Sequence, residues 1–185
     1  MRVWGRNATV AVGLGVLLLG ACGSTEESVP GIKILTIEES NTSANGTWER
    51  PCEATETGME QVVLQFSGKE TLLSTQTYDA PATDCGGTPT TVADNTGNSA
   101  VQAEPKEVTW LADAAPVGLP DALLATQIIL SLDEAIGETT ELNLIAVIDD
   151  EASPDLLYLS RSDDGAVTLD DANFPNELNP SPFEN

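Results

Sequence analysis

The stretch Gln61-Val62-Val63-Leu64-Gln65-Phe66-Ser67-Gly68-Lys69 decides the fold class of this chain of 185 residues. Its second, fourth and sixth residues are apolar and share one face of an extended segment, whereas three of the four residues on the other face are polar. The Gly-Lys pair at its end suits a two-residue turn, and residues 70–78 follow as a natural hairpin partner. One buried and one hydrated face is typical of an antiparallel sheet.

Downstream of this hairpin, four more segments have the apolar content and length of short strands. They are 107–111, 125–132, 142–148 and 156–161. The second of them lies in a wider segment, Asp121 to Ile136, that also fits a helix, because an apolar residue recurs at every fourth position between Asp121 and Gly137. We predict a strand over Ala125 to Leu132, since both neighbouring segments resemble strands.

Seven to eight short strands at regular spacing predict an all-β fold, namely an antiparallel barrel of about eight strands, with a β-sandwich as the alternative. The count includes an upstream segment, Ile32 to Ile37, with the β-branched content of a short strand. Residues 79–99 are rich in Thr, Gly, Pro, Asp and Asn, so they are predicted to form a loop. The β-domain is predicted to span residues 46–178, with a C-terminal tail at 179–185 that drapes over the surface.

The N-terminus carries a segment of a different kind. Arg2 and Arg6 precede an apolar run, Ala8 to Leu19, that is shorter than the about 20 residues a membrane-spanning helix needs. The run closes with Leu19-Gly20-Ala21-Cys22, which resembles the lipobox of bacterial lipoproteins. In that family the cysteine is lipidated and becomes the first residue of the mature protein. An ordinary secretory signal or an N-terminal anchor helix is the alternative.

The lipobox resemblance implies a signal peptide at residues 1–21, an acylated Cys22 and a tether at 22–45 that attaches the domain to a lipid bilayer. One acyl chain holds a protein only marginally, whereas two or more anchor it stably. Lipoproteins of this kind carry a diacylglyceryl group and usually an amide-linked acyl chain. Gly23 and Ser24 stand where lipoproteins retained at the inner membrane tend to carry Asp, which favours the outer membrane of a bacterial cell envelope.

The remainder of the chain is strongly acidic. Removing the two arginines of the signal segment leaves five basic against 30 acidic residues, a net charge of −25. Nucleic acid is not expected as a partner, because a polyanion would be repelled. The chain contains no histidine, which excludes the Ser-His-Asp and Cys-His catalytic arrangements. Paired carboxylates of the glycosidase type remain the catalytic alternative in a chain with 30 acidic residues. We predict a protein that is not an enzyme and that needs no cofactor. No particular oligomeric state is predicted.

Cys52 and Cys85 remain as an even pair once Cys22 is assigned to the lipid anchor. In an oxidising compartment such a pair predicts a disulfide. It would close a loop of about 34 residues and stabilise the fold by about 3–4 kcal/mol in the chain-entropy model. Two free or metal-binding thiols are the alternative, and the absence of a CxxC spacing disfavours them.

Gly46-Thr47-Trp48, at the start of the domain, is similar to the GxW of the first strand in lipocalins and other calycin barrels. In that family the tryptophan closes one end of the barrel and a late arginine stacks on it. Arg161 is the only candidate here for that arginine. The family's Thr-Asp-Tyr motif has its residue types in a different order at Thr77-Tyr78-Asp79. The resemblance implies a lipocalin-like β-barrel.

Barrels of about eight strands can hold one small molecule in their interior, which makes binding of a small apolar ligand the leading functional hypothesis. Four aromatic side chains could line such an interior or fill it: Trp48, Phe66, Trp110 and Tyr158. The rival hypothesis is a surface module that binds a protein or polysaccharide through an outer face. An interior cavity would favour the first, whereas a filled interior with an exposed aromatic patch would favour the second.

The rival hypothesis has a calcium-assisted version. Three acidic clusters offer the hard oxygen ligands that suit Ca²⁺. They are Asp149-Asp150-Glu151, Asp163-Asp164 and Asp170-Asp171. None fits the loop pattern of an EF-hand, and solvated turn residues are the commoner explanation in so acidic a chain. The sequence therefore predicts no metal site.

Overall fold

The computed structural model describes residues 31–37, 42–102, 104–133 and 139–185. These residues form twelve β-strands and one short 3-10 turn, Leu111–Asp113, so the prediction of an all-β fold is confirmed. The strands are β1 Ile32–Ile34, β2 Gly46–Glu49, β3 Glu53–Thr55, β4 Gly58–Ser67, β5 Glu70–Asp79, β6 Thr91–Val101, β7 Lys106–Trp110, β8 Ala122–Asp133, β9 Thr139–Asp149, β10 Leu156–Arg161, β11 Glu177–Leu178 and β12 Phe183–Glu184. The predicted signal peptide and Cys22 lie outside the described residues.

Eight of these strands pair edge to edge in a closed ring. The order around the ring is β2, β4, β5, β6, β8, β9, β10 and β12, and β12 pairs again with β2. Every pairing in the ring is antiparallel. The other four strands lie outside it: β1 pairs with β9, β3 with β4, β7 with β8, and β11 runs parallel to β7.

The hairpin that decided the fold class is present as predicted. Strands β4 and β5 pair over ten residues each, from Gly58 opposite Asp79 to Ser67 opposite Glu70. Gly68 occupies the turn with a φ of 61°, a left-handed conformation that glycine adopts without a steric penalty. The ambiguous segment is also resolved, because Ala125 to Leu132 lies within strand β8.

Two hydrophobic clusters lie on opposite faces of the central strands. Along β9, Leu144 and Ala146 belong to the larger cluster, while Ile145 and Val147 belong to the smaller one. The larger cluster, called the inner cluster here, takes buried side chains from seven of the eight ring strands and therefore lies inside the ring. The smaller, outer cluster lies between β8, β9 and β10 and the layer formed by β7, β11 and the segment around Phe174. Burial on both faces explains why these strands are apolar at almost every position.

Strand β6 corrects the prediction of a loop over residues 79–99. Its sequence, TVADNTGNSAV, is polar, and most of its side chains are exposed. The strand forms because its backbone pairs with β5 on one side and β8 on the other. At Gly97 an added Cβ would lie 2.0 Å from the carbonyl oxygen of Ser131, so the close approach of the two strands requires glycine. Composition alone does not reveal a strand defined by its neighbours.

The predicted boundaries of the domain also need correction. Residues 179–185 are not a tail over the surface, because β12 inserts between β10 and β2 and completes the ring. Phe183 is 2% exposed in the inner cluster. At the other end, the described part of the predicted tether contributes β1 as well as buried Leu35 and Ala44. The folded body therefore extends in both directions beyond residues 46–178.

Candidate functional site

A cavity of about 450 Å³ lies inside the strand ring, at the end where β2 and β10 finish and β4 begins. Seven of its seventeen lining residues form an apolar wall that comes from six ring strands, and Thr75, Ser160, Gly165 and Asn179 also line the cavity. The wall residues are Val62, Leu64, Leu73, Leu130, Leu144, Leu159 and Phe183. Its rim is charged. The rim residues are Arg50, Glu53, Glu60, Arg161, Asp163 and Asp164. The cavity can thus surround an apolar group while its rim contacts a polar one.

Arg50 is the rim residue with the most unusual environment. It directly follows β2, and its backbone N–H donates to the carbonyl oxygen of Val62 at 2.9 Å. Its guanidinium carbon lies 4.7 Å from the centroid of the Phe183 ring, a cation–π geometry. The Nε atom is buried and has no hydrogen-bond partner. Burial lowers the pKa of Arg50 below its ordinary value, the carboxylate of Glu53 opposes that shift, and the neighbouring charge of Arg161 adds to it.

Arg161, the second guanidinium of the rim, is already paired. Its Nε donates to Asp163 Oδ1 at 2.9 Å and its Nη2 to Asp163 Oδ2 at 3.0 Å. The lipocalin resemblance made Arg161 the candidate for stacking on Trp48, and this expectation is wrong: the arginine that lies over an aromatic ring is Arg50, on Phe183. The indole N–H of Trp48 donates instead to the carbonyl oxygen of Ala44 at 2.7 Å.

The predicted disulfide is present and lies next to the rim. Cys52 and Cys85 are bonded, with their Cα atoms 5.8 Å apart. The bond ties the segment that follows Arg50 to the connection between β5 and β6. Because Glu53 follows Cys52 directly, the disulfide restrains one side of the cavity rim. It therefore contributes to the geometry of the site as well as to stability.

The four predicted ligand-binding aromatics do not line one cavity. Trp48 and Phe66 are buried in the inner cluster, outside the cavity wall. Trp110 and Tyr158 belong to the outer cluster, where their rings meet edge to face with centroids 5.1 Å apart. Trp110 also donates its indole N–H to the carbonyl oxygen of Pro120 at 2.7 Å. These side chains fill space rather than border it.

Two important residues of the cavity, Arg50 and Phe183, escaped the sequence-based prediction. Arg50 stands two residues after Trp48 and therefore on the same face of the chain. A charged residue on the buried face of a strand is a signal that could have identified it. Phe183 directly follows Pro182 close to the C-terminus, and no local pattern marks it as part of a strand.

The acidic clusters proposed for calcium serve other roles. Each supplies the partner of one basic side chain, in the pairs Lys33–Asp150, Arg161–Asp163 and Lys106–Asp170. In each cluster one carboxylate also accepts a backbone N–H two residues further on. Among the residues that the structure describes, no group of three or more acidic or cysteine side chains is arranged to hold a metal ion.

Comparisons with protein-family models, with curated proteins and with solved structures found no match for this chain. Within the described ranges, no helix has the length and apolarity needed to cross a lipid bilayer. The geometry of the cavity therefore carries the functional inference.

Proposed function

We propose that this chain is a lipid-anchored protein of the bacterial cell envelope, whose lipocalin-like β-barrel binds a small apolar ligand without catalysing a reaction. The observation that carries this proposal is the cavity of about 450 Å³ inside the strand ring. Small-molecule sites typically measure about 300–1,000 Å³ and combine a mostly apolar wall with a few placed polar groups. This cavity falls within that range of volume, and it combines seven apolar lining residues with six charged ones, so its wall suits the apolar end of a ligand and its rim a polar end.

Burial of apolar surface would provide the affinity. Each methylene group transferred from water to such a wall contributes about 0.8 kcal/mol. The side chains at the bottom of the inner cluster, including Trp48 at 1% exposure, close the interior beyond the cavity. A ligand would consequently enter and leave through the rim that carries Arg50 and Arg161.

The rival surface module receives less support. An exposed aromatic patch would favour it, yet every aromatic side chain in the described part of the chain is buried. The exposed large apolar residues are Ile34, Val92, Val101, Val117 and Leu169. All are aliphatic, and such residues contribute less to protein–protein binding hot spots than Trp, Tyr or Arg.

The anchor part of the proposal depends on Cys22 and the chain that connects it to β1. Eight residues lie between Cys22 and Gly31, the first described residue, so the connection spans at most about 30 Å when extended. The β-domain would sit close to the bilayer surface. Intact mass spectrometry of the protein made with its own signal tests this: we expect added diacylglyceryl and acyl mass on a chain beginning at Cys22, absent in Cys22→Ala. An unmodified wild-type chain would contradict the anchor.

A secreted form that starts at residue 22 and carries Cys22→Ser retains every described residue and suits binding measurements. Two neighbouring substitutions on β4 provide a matched pair, because Val62 lines the cavity and Val63 points to the other face. With 1-decanol as the probe, we expect binding to the parent form and to Val63→Trp, and at least about tenfold weaker binding to Val62→Trp, whose indole would occupy the site. Absence of binding to the parent form, or equal binding to both variants, would overturn the cavity proposal.

A further inference from the structure

The cavity rim holds a guanidinium, that of Arg50, for which the described part of the chain supplies no carboxylate partner. Resting on the proposed ligand cavity, we infer that the ligand is an amphiphile with a single carboxylate, whose headgroup binds Arg50 and whose alkyl chain occupies the cavity. The inference depends on the contrast between Arg50 and the other cations, on the surroundings of its side chain, and on the charges of the rim.

The contrast among cations is clear in a chain with 30 acidic residues. Lys33, Lys106 and Arg161 each pair with an aspartate. Within the described residues, Arg50 forms neither an ion pair nor a side-chain hydrogen bond, although its Nε atom is buried. A buried charge without a partner is costly, and a bound anion would offset that cost.

The surroundings of Arg50 prepare it to bind a flat anion. The Phe183 ring, 4.7 Å from the guanidinium carbon, restrains the guanidinium and shields one of its faces from water. The edge of a guanidinium matches the two oxygens of a carboxylate, which makes the paired hydrogen bonds short and strong. Phe183 also belongs to the cavity wall, so a carboxylate on Arg50 would place its alkyl chain against apolar side chains.

The remaining rim charges limit the headgroup to one negative charge. Glu53, Glu60 and Asp164 are near enough to raise the pKa of Arg50, against the larger lowering by burial. Glu53 and Asp163 are exposed, so water screens their repulsion of an incoming anion. A headgroup with two negative charges would be repelled by these carboxylates more strongly than a headgroup with one. Arg161 also lies at this rim, but its guanidinium is already paired with Asp163.

The test compares three probes of equal chain length on the secreted Cys22→Ser form by isothermal titration calorimetry: decanoate, 1-decanol and decyltrimethylammonium. We expect decanoate to bind at least about tenfold tighter than 1-decanol, the gain typical of hydrogen bonds to a charged group. Arg50→Gln should remove that advantage, so that the variant binds decanoate no more tightly than 1-decanol. Lys33→Gln, which removes one exposed cation that does not line the cavity, should change neither affinity.

The outcomes separate the two proposals. Equal affinity for decanoate and 1-decanol, unchanged by Arg50→Gln, would overturn the carboxylate inference and leave the apolar cavity intact. Tighter binding of decyltrimethylammonium would also overturn it, since the rim carboxylates would then dominate. Failure of all three probes to bind would remove the proposed function as well.

A measurement on the parent form alone covers the case in which Arg50→Gln does not fold. The carboxyl ¹³C shift of labelled decanoate reports its ionisation as the pH is lowered. We expect the bound carboxylate to remain ionised at a lower pH than decanoate in water, because a neighbouring guanidinium favours the charged form. A bound carboxyl that takes up its proton at the same pH as in water, or at a higher pH, would contradict contact with Arg50.

Discussion

Two partly buried cations of this protein, Lys106 and Arg50, have opposite surroundings. Lys106 lies beside the outer cluster, where its Nζ donates to Asp170 Oδ2 at 2.6 Å and to the carbonyl oxygens of Pro175 and Phe174 at 3.1 and 3.4 Å. Arg50 lies at the rim of the inner cavity and has an aromatic ring as its only close partner among the described residues. The chain itself thus supplies the partners of the cation on the outer face, and our proposal is that a ligand supplies the partner of the cation at the inner end.

The largest expected effect comes from the outer cluster. Trp110 is 2% exposed, packs edge to face on Tyr158 and donates to Pro120. Trp110→Ala should lower the free energy of unfolding by about 3–5 kcal/mol, measured by urea denaturation. Because Trp110 is remote from the cavity wall, the folded variant should retain its affinity for decanoate. A loss below about 1 kcal/mol, or a loss of decanoate binding, would contradict the separation of the two regions.

A matched pair on β10 compares filled and unfilled parts of the interior. Leu157 and Leu159 face the inner cluster with 0% and 2% exposure, but only Leu159 borders the cavity. Leu157→Ala should cost about 3–4 kcal/mol of unfolding free energy and Leu159→Ala about 2 kcal/mol, since the side chain at the cavity has fewer packing partners to lose. Equal costs in denaturant titrations would indicate that the cavity is packed as tightly as the rest of the cluster.

The contribution of the Lys106–Asp170 pair to the free energy of unfolding should depend on pH. Partial burial raises the pKa of Asp170, but the hydrogen bonds from Lys106 and from the backbone of Phe174 and Ala172 outweigh it and lower the pKa below its ordinary value. The pair therefore stabilises the fold above the ordinary carboxyl range, and this contribution is lost as the pH falls through the folded-state pKa. Asp170→Asn should cost about 1–3 kcal/mol at neutral pH and progressively less in acid.

The neighbouring carboxylate provides the control for that prediction. Asp171 is exposed, so Asp171→Asn should change the unfolding free energy by less than about 0.5 kcal/mol at any pH. Thermal denaturation of both variants across the pH range measures the difference. A cost for Asp170→Asn that does not decline in acid would show that the ion pair is not its source.

The smallest change in unfolding free energy is expected for a substitution of Arg50. Its sign distinguishes Arg50 from Lys106, whose ion pair stabilises the fold. Without ligand, Arg50→Gln removes a charge that forms no ion pair with any described residue, so the unfolding free energy should stay within about 1 kcal/mol of the parent value or rise. At the same excess of decanoate, the unfolding free energy of the parent form should rise more than that of the variant. The reason is that a ligand stabilises the folded state more when it binds that state more tightly. A loss above about 1 kcal/mol without ligand would mean that the protein itself satisfies this guanidinium.

Local patterns in the sequence were sufficient to predict the hairpin and the central strands. The alternation before Gly68 and the apolar run from Leu142 to Ile148 depend on neighbours in the chain, so they can be recognised without tertiary structure. Strand β6 and strand β12 could not be recognised in this way. The first is polar, and the second has two residues that lie between β10 and the distant β2.

The candidate site was less predictable than the fold. The disulfide followed from cysteine counting, whereas the predicted fold class left open whether the interior holds a cavity or is filled by side chains. The residues of the cavity wall and rim could not be predicted in this way. The aromatic residues that were predicted to bind a ligand, such as Trp110, are instead packed in the hydrophobic clusters. Whether an arginine such as Arg50 has a partner depends on side chains from other strands, and a single sequence does not contain that information.

A crystal structure of the secreted Cys22→Ser form with decanoate would test the ligand site most directly. We expect the alkyl chain against Leu64, Leu144 and Leu159, and the carboxylate within hydrogen-bond distance, about 2.7–2.9 Å, of the Arg50 guanidinium. Decanoate bound outside the strand ring, or bound inside with its carboxylate turned away from Arg50, would contradict the assignment of the cavity and its rim as one binding site.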